Sequence, residues 1–530
     1  MRKNLIIILV FIASAIHSQN LDSLFNRFLE IRERNPQGRQ VTSSSSEPVK
    51  CSFGIVSEIK SNFNNFSPKQ QAVLAPLLNR PITDTSIISP SGKFKINFSK
   101  NGTDAPIYNV NELAKIADYV FKVEVDSFKY PVPAVDSDGK YDIYVQYLGS
   151  KDYGYTNWDD MDANNKAIGC YFVINSDYRS FPTQGLDFLK VTVAHEFHHA
   201  IQVTDYIYRL SDSFYMELTS TSMEEFVYND VNDYYNYLSS YFSNPGKAIV
   251  QSLGYNLAVW NIYLRDRFGI SIVKEMWEKM PTMRAVECFS NVLEKHGSSL
   301  LKEFNEFGIW TYFTNTRAIA GQYFKEGDKY PLVKPGMQVQ LTNSQAAVTV
   351  KSEAISNNFI EVTDGENTIV PLVTNADITS SVNSKSSISF EMTISKNQST
   401  GFSSIYPGYY AKLSSANPSL LTDNYFFNGK LASKIENAEF AYPQPFNYSK
   451  YSTIYFPAQL TSEGTVDLSI FSIDMNLIYS GVLRIVNGNK VVVGWNVLNN
   501  NGNKLSTGVY FYVVKCGDNI SKGKFVVLND

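Results

Sequence analysis

His195, Glu196 and His199 stand in the run His195-Glu196-Phe197-His198-His199, and histidine is otherwise scarce: the chain of 530 residues has five, and three fall here. On an α-helix residues i and i+4 lie one above the other, so His195 and His199 present two imidazoles to one point. Neutral imidazole binds Zn²⁺ at about 2.0–2.1 Å, and two such ligands leave room for a third and for water. Glu196, one residue further round, can reach that water without being a ligand. Zinc lowers the pKa of a bound water to about 7, and a neighbouring carboxylate accepts the proton, giving a nucleophile for a polarised carbonyl. His198 projects about 60° away from His195 and reads as a neighbour of the ligands.

A catalytic zinc needs a third protein ligand. Asp205 is a poor one, because Gln202 offers no glycine turn after His199 and the helix carries Asp205 past the metal. Glu217 is the better candidate. Ser211-Asp212-Ser213 is N-cap chemistry for a second helix that aims Glu217 at the imidazoles. Thr221 and Glu224 follow at i+4 and i+7 on the same face, where either can orient a ligating histidine. Tyr255, beside Gly254 at a helix start, is a candidate donor to an oxyanion, with packing as the competing role. Cys51 is a candidate latency thiol that takes the open metal position, with a disulfide or buried thiol as the competing role. Asp136-Ser137-Asp138-Gly139-Lys140 with Asp142 gathers oxygens as a Ca²⁺ loop does. Its twelfth position is Tyr147 and not Glu, so it is no EF-hand, and an Asp/Gly turn is the plainer reading.

These residues need elements to hold them. Leu189, Val193, Phe197, Ala200 and Ile201 share one helical face, which predicts a buried motif helix. Helical spacing also covers Leu21 to Arg34, Cys51 to Pro81 and Val110 to Phe128, and residues 185–325 read as helices throughout. Phe94 to Phe98, Tyr141 to Tyr147 and Cys170 to Ile174 read as strands, and fold analogy alone suggests the last as an edge strand for an extended substrate. After Pro331 short Val/Ile/Thr/Phe strands alternate with Asn/Gly/Ser turns, and Tyr442-Pro443-Gln444-Pro445-Phe446-Asn447 marks a boundary near 438. The expected fold is an α+β unit followed by all-β, immunoglobulin-like sandwich modules.

Composition narrows the class. With 44% apolar and 18% charged residues and a net charge of -4, the chain is a folded protein and not a basic nucleic-acid binder. No apolar run beyond the first residues is long enough to span a bilayer. Met1-Arg2-Lys3, the block Leu5 to Ile12 and the small residues to Ser18 read as a secretory signal peptide, residues 1–19. Gln40 to Ser46 reads as a linker. Four cysteines spread over the chain form no disulfide scaffold.

His195-Glu196-x-x-His199 with a glutamate on the next helix is similar to the gluzincin metallopeptidases. More narrowly, the chain resembles secreted bacterial metalloproteases through Arg80-Pro81, Ser89-Pro90-Ser91-Gly92-Lys93-Phe94, Tyr141 to Val145, His195 to Gln202, Met216-Glu217, Met223-Glu224, Tyr234 to Leu238 and Gly254-Tyr255. The resemblance covers roughly residues 50–325. It implies a zincin-like fold, a zinc cofactor, hydrolysis of a protein or peptide substrate, His195, His199 and Glu217 as ligands and Glu196 as base. Phe214-Tyr215 departs from it, where tryptophan is frequent. The tail, through Tyr442-Pro443-x-Pro445-Phe446-Asn447, Gly494-Trp495-Asn496, Gly508 to Tyr512 and Lys524 to Val527, resembles the sorting domains of Bacteroidetes-type secretion, with Gln444 where Asn is usual. That likeness implies secretion machinery as a partner and a secreted or cell-surface location.

The expected organisation is then a helical segment and propeptide candidate at 20–90, a zincin-like metallopeptidase domain at 91–332, a β-rich domain at 333–437 and a sorting-like β-sandwich at 438–530. The leading expectation is a secreted zinc endopeptidase. Its rivals are an inactive cell-surface binding protein and a zinc hydrolase of a non-peptide amide or ester.

Overall fold

The computed structural model describes residues 21–32, 50–342, 344–378, 387–397, 400–429, 436–437, 440–449, 451, 453–459, 465–487, 490–517 and 519–529. The signal peptide, the Ser-rich linker and the boundary at 438 lie outside them. The fold is mixed α/β, with several antiparallel sheets in the C-terminal half. The chain divides into two compact units: the residues up to Leu210 with Met223–Val231, and Ser211–Ser222 with those from Asn232 onward.

The first unit is built on a five-stranded sheet of β1 (Thr85–Ile88), β2 (Phe94–Phe98), β3 (Tyr141–Gln146), β4 (Gly154–Met161) and β5 (Ala167–Asn175), in the order β1-β2-β3-β5-β4. β2, β3 and β5 run parallel, while β1 and β4 are antiparallel to their neighbours. A parallel pair needs a crossover, and α4 (Val110–Phe121) supplies it between β2 and β3. Strand side chains alternate between faces, so the sheet has two cores. On one side Tyr144, Tyr155, Tyr171 and Val173 pack with Leu24, Phe28, Ile55, Val56, Ile59 and Leu74. Those last residues come from α1 (21–31), α2 (Phe53–Ser61) and α3 (Pro68–Leu78).

On the other side lies α5 (Gly185–Ile201), which carries the histidine motif. Its Phe197 ring meets Phe94, Phe121 and Tyr141 at 5.7–5.8 Å. Burying one such ring contributes about 1.5–3 kcal/mol. The helix is buried almost all round from Phe188 to Ile201, because the sheet and α4 both cover it. Two helices end in wide turns: α4 passes into a π-turn at Lys122–Ser127, and α5 into one at Gln202–Tyr206. A π-turn re-aims the side chains on and after it.

The edge-strand expectation needs correction. Cys170 to Ile174 belongs to β5, which lies between β3 and β4, and the end of the sheet is β4. An apolar run fits an interior strand, whereas β4 reads Gly-Tyr-Thr-Asn-Trp-Asp-Asp-Met and has no such run.

α6 (Ser213–Val227) begins in the second unit and ends in the first. Its start is fixed within the second unit: Tyr215 stacks on Trp277 at 5.2 Å, and Trp277 Nε1 donates to Thr219 Oγ1 at 3.0 Å. The helices α7 (Tyr235–Ser243), α8 (Ala258–Phe268), α9 (Ser271–Lys279), α10 (Ala285–Lys295) and α11 (Leu300–Tyr312) follow. Strands from Met337 to Phe427 then form two four-stranded sheets sharing a core of Val348, Ile360, Val373, Phe390 and Met392. The last strands, Glu436 to Val527, form a seven-stranded sheet whose core holds Phe446, Phe456, Trp495, Tyr512 and Phe525.

Candidate metal centre

Cys51, His195, His199 and Glu217 are all buried, and each offers one ligand atom such that the four lie within 4.8 Å of one another. Among the described residues no other group of three or more His, Cys, Asp or Glu side chains is gathered in this way. Two imidazoles, a carboxylate and a thiol form a donor set that suits Zn²⁺ by softness and by number.

The imidazoles are oriented from behind. His195 Nδ1 lies 2.8 Å from Glu224 Oε1, and His199 Nδ1 lies 2.8 Å from Gln202 Oε1. Each acceptor oxygen calls for a protonated Nδ1, which makes Nε2 the nitrogen able to ligate. Gln202 reaches back because the wide turn after Ile201 begins at it. The Phe53 ring stacks on His199 at 4.1 Å and 13°. Glu224 also receives the buried Lys50 ammonium. Glu224→Ala is expected to lower metal affinity about 10–100-fold, measured by competition with a chromophoric chelator.

Glu196 faces the same place. Thr156 Oγ1 is 2.8 Å from its Oε2, and the Cys51 thiol is hydrogen-bonded to its carboxylate. Burial raises its pKa, opposed by the two imidazoles and these hydrogen bonds. A carboxylate so perturbed is a better base near neutral pH.

His198 lies outside the ligand group and pairs with Glu124 Oε2 at 2.8 Å, on the wide turn that ends α4. Burial pushes the Glu124 acid up and the His198 imidazole down, so both are driven toward neutrality. Asp205 accepts from Thr204 and is not a member of the group. Thr221 is buried, and its hydroxyl has no hydrogen-bond partner among the described residues. Asp212, expected to cap α6, holds the Arg284 guanidinium. Tyr255 opens a short 3₁₀ turn and packs its ring 5.6 Å from Tyr237. Arg80 binds Asp136, Asp142 and Asp159, so a guanidinium sits among the carboxylates of the candidate Ca²⁺ loop. All four cysteines are buried, and none is in a disulfide.

Gly254 sets the approach to Glu217. Its φ is +102°, and a Cβ there would lie 2.2 Å from Phe214 O and 2.8 Å from Glu217 Cβ. Gly254→Ala is expected to cost about 2 kcal/mol or more in urea unfolding and to weaken metal binding by displacing Glu217.

Lys50, Phe53, Glu124, Thr156 and Gln202 escaped the sequence reading. Only Gln202 carried a local signal, its i+3 spacing from His199.

No family model matches the chain, and no curated protein matches it. Among solved structures, parts of it are similar to PorZ, described as an essential bacterial surface component of the type-IX secretion system of Porphyromonas gingivalis. That match has 16% identity, a TM-score of 0.15 and coverage of 32% of this chain and 23% of PorZ. Dimeric latent PorU from Porphyromonas gingivalis is similar at 15% identity and TM-score 0.14, over 34% of this chain and 20% of that one. The neural ectodermal development factor IMP-L2 matches at 10% identity and TM-score 0.10, over 37% of this chain and 91% of that one. The chain thus spans about a fifth of the lengths of PorZ and PorU. Among the described residues no helix is long and apolar enough to cross a membrane.

Proposed function

We propose that the chain is a zinc-dependent endopeptidase of the zincin type, secreted or held at the cell surface, with Glu196 as general base. The observation that carries this reading is the gathering of His195, His199 and Glu217 within 4.8 Å, with the Glu196 carboxyl hydrogen-bonded to Cys51 of the same group. The chemistry that zinc supplies when held there is Lewis acidity, which lowers a water pKa to about 7 and polarises a carbonyl. Every other part falls to the chain. Glu224 and Gln202 hold the imidazoles in the ligating tautomer. Glu196, braced by Thr156, takes a proton from the attacking water and returns it to the leaving amine. Export through the C-terminal β module, on the tail motifs from Tyr442 to Val527, belongs to the same proposal.

The test is hydrolysis of casein by the Cys51→Ala chain and by the same chain carrying Glu196→Gln, with and without chelator. Turnover that needs both the metal and Glu196 supports the reading. Metal-loaded protein inert toward casein and a mixed peptide library sinks it.

A second reading has its own observation. Four protein ligands make a closed site, the form that structural zinc takes. On that reading the chain is an inactive binding protein, and removing Cys51 releases no activity.

A further inference from the structure

Lys50 to Ser52 lie along the outer edge of β4, the one strand of the sheet's end next to Glu196. Tyr153 N donates to Lys50 O at 2.9 Å, and Ser52 N donates to Gly154 O at 3.2 Å, with Cys51 bridged to Gly154 in the parallel sense. Gly154 makes that edge part of the site. A Cβ on it would lie 2.7 Å from Val173 O and 3.1 Å from Thr192 Cγ2, so the position needs glycine, and at 3.4 Å it would touch Glu196 Cγ, so the strand passes directly beside the base. Whatever pairs with residue 154 is therefore delivered to Glu196. An extended peptide adding to a sheet edge is bound in this way, through main-chain hydrogen bonds.

The segment is also clamped at three points. The Lys50 ammonium is buried against Glu224, which itself holds His195. Ser52 Oγ donates to Asp152 Oδ2 at 2.6 Å, and Asp152 pairs with the buried Arg32 that follows α1. Phe53 covers His199.

Resting on the zinc-hydrolase reading, we propose that the intact chain is latent: Cys51 is the fourth metal ligand, and Lys50-Cys51-Ser52 occupies the strand position of the substrate. The thiol ligates by giving up its Sγ–H proton to solvent, and the segment covers the position beside Glu196 that a substrate would take. When the segment leaves the edge of β4, the thiol recovers a proton from solvent and water enters its place.

The whole chain loaded with Co²⁺ in place of zinc tests this directly. A thiolate-to-cobalt charge-transfer band in the near ultraviolet is expected, lost in Cys51→Ala and in Cys51→Ser while the ligand-field bands persist. Alkylation of Cys51, read by peptide mapping, is expected to be slow with metal and fast after chelation. Both variants should hydrolyse casein where the unaltered chain does not. A charge-transfer band that survives in the variants, or an unaltered chain as active as they are, overturns latency and leaves the metal reading standing. Failure of Co²⁺ to bind any of the three proteins overturns both.

Discussion

Glu196→Gln, placed in the Cys51→Ala chain, is expected to lower casein hydrolysis by about 10²–10⁴-fold with metal content unchanged. Glutamine keeps the shape of the side chain and can still meet the Thr156 hydroxyl, which lies 2.8 Å from Glu196 Oε2. It cannot accept a proton from water. The substitution therefore separates the base from the ligands, since His195, His199 and Glu217 are untouched. Equal rates in the two proteins, with metal confirmed by elemental analysis, would place the base elsewhere.

On the proposed metal reading, chelation has the second large expected effect. A ligand that binds only the folded chain stabilises it by RT ln(1 + [L]/Kd), about 4 kcal/mol at a thousandfold excess over Kd. Chelation is thus expected to lower the thermal unfolding midpoint by several degrees, and restoring zinc to recover it. In Glu217→Ala the difference should shrink or vanish, because the carboxylate that completes the group is gone. A midpoint indifferent to chelator in the unaltered chain would mean that these buried side chains hold no ion.

The parts of this arrangement that were legible in the sequence are local. The i, i+4 spacing of His195 and His199 needs only a helix, and the buried face through Val193 and Phe197 predicts one. Glu217 and Glu224 follow from the next helix by the same periodicity. What was illegible depends on pairing across the chain. β4 mixes aromatic and acidic residues, so its place at the end of the sheet had no apolar signature, while the apolar Cys170 to Ile174 run drew the edge assignment to an interior strand. Cys51 was visible as a lone thiol, yet its neighbours Lys50 and Phe53 gained meaning only once the segment lay against Gly154. Glu124 was hidden by the wide turn that aims it at His198.

Glu217 and Glu224 sit on a single uninterrupted helix, two turns apart, which is about 10.5 Å along the axis. A rod of that kind cannot advance one carboxylate while holding back the other. Any slide or tilt of α6 would move Glu217 and the Glu224 carboxylate that meets His195 Nδ1 in the same stroke. Selection on this chain therefore has one mechanical lever where two independent adjustments would be expected, and substitutions that tune affinity through α6 should be found to alter imidazole alignment as well.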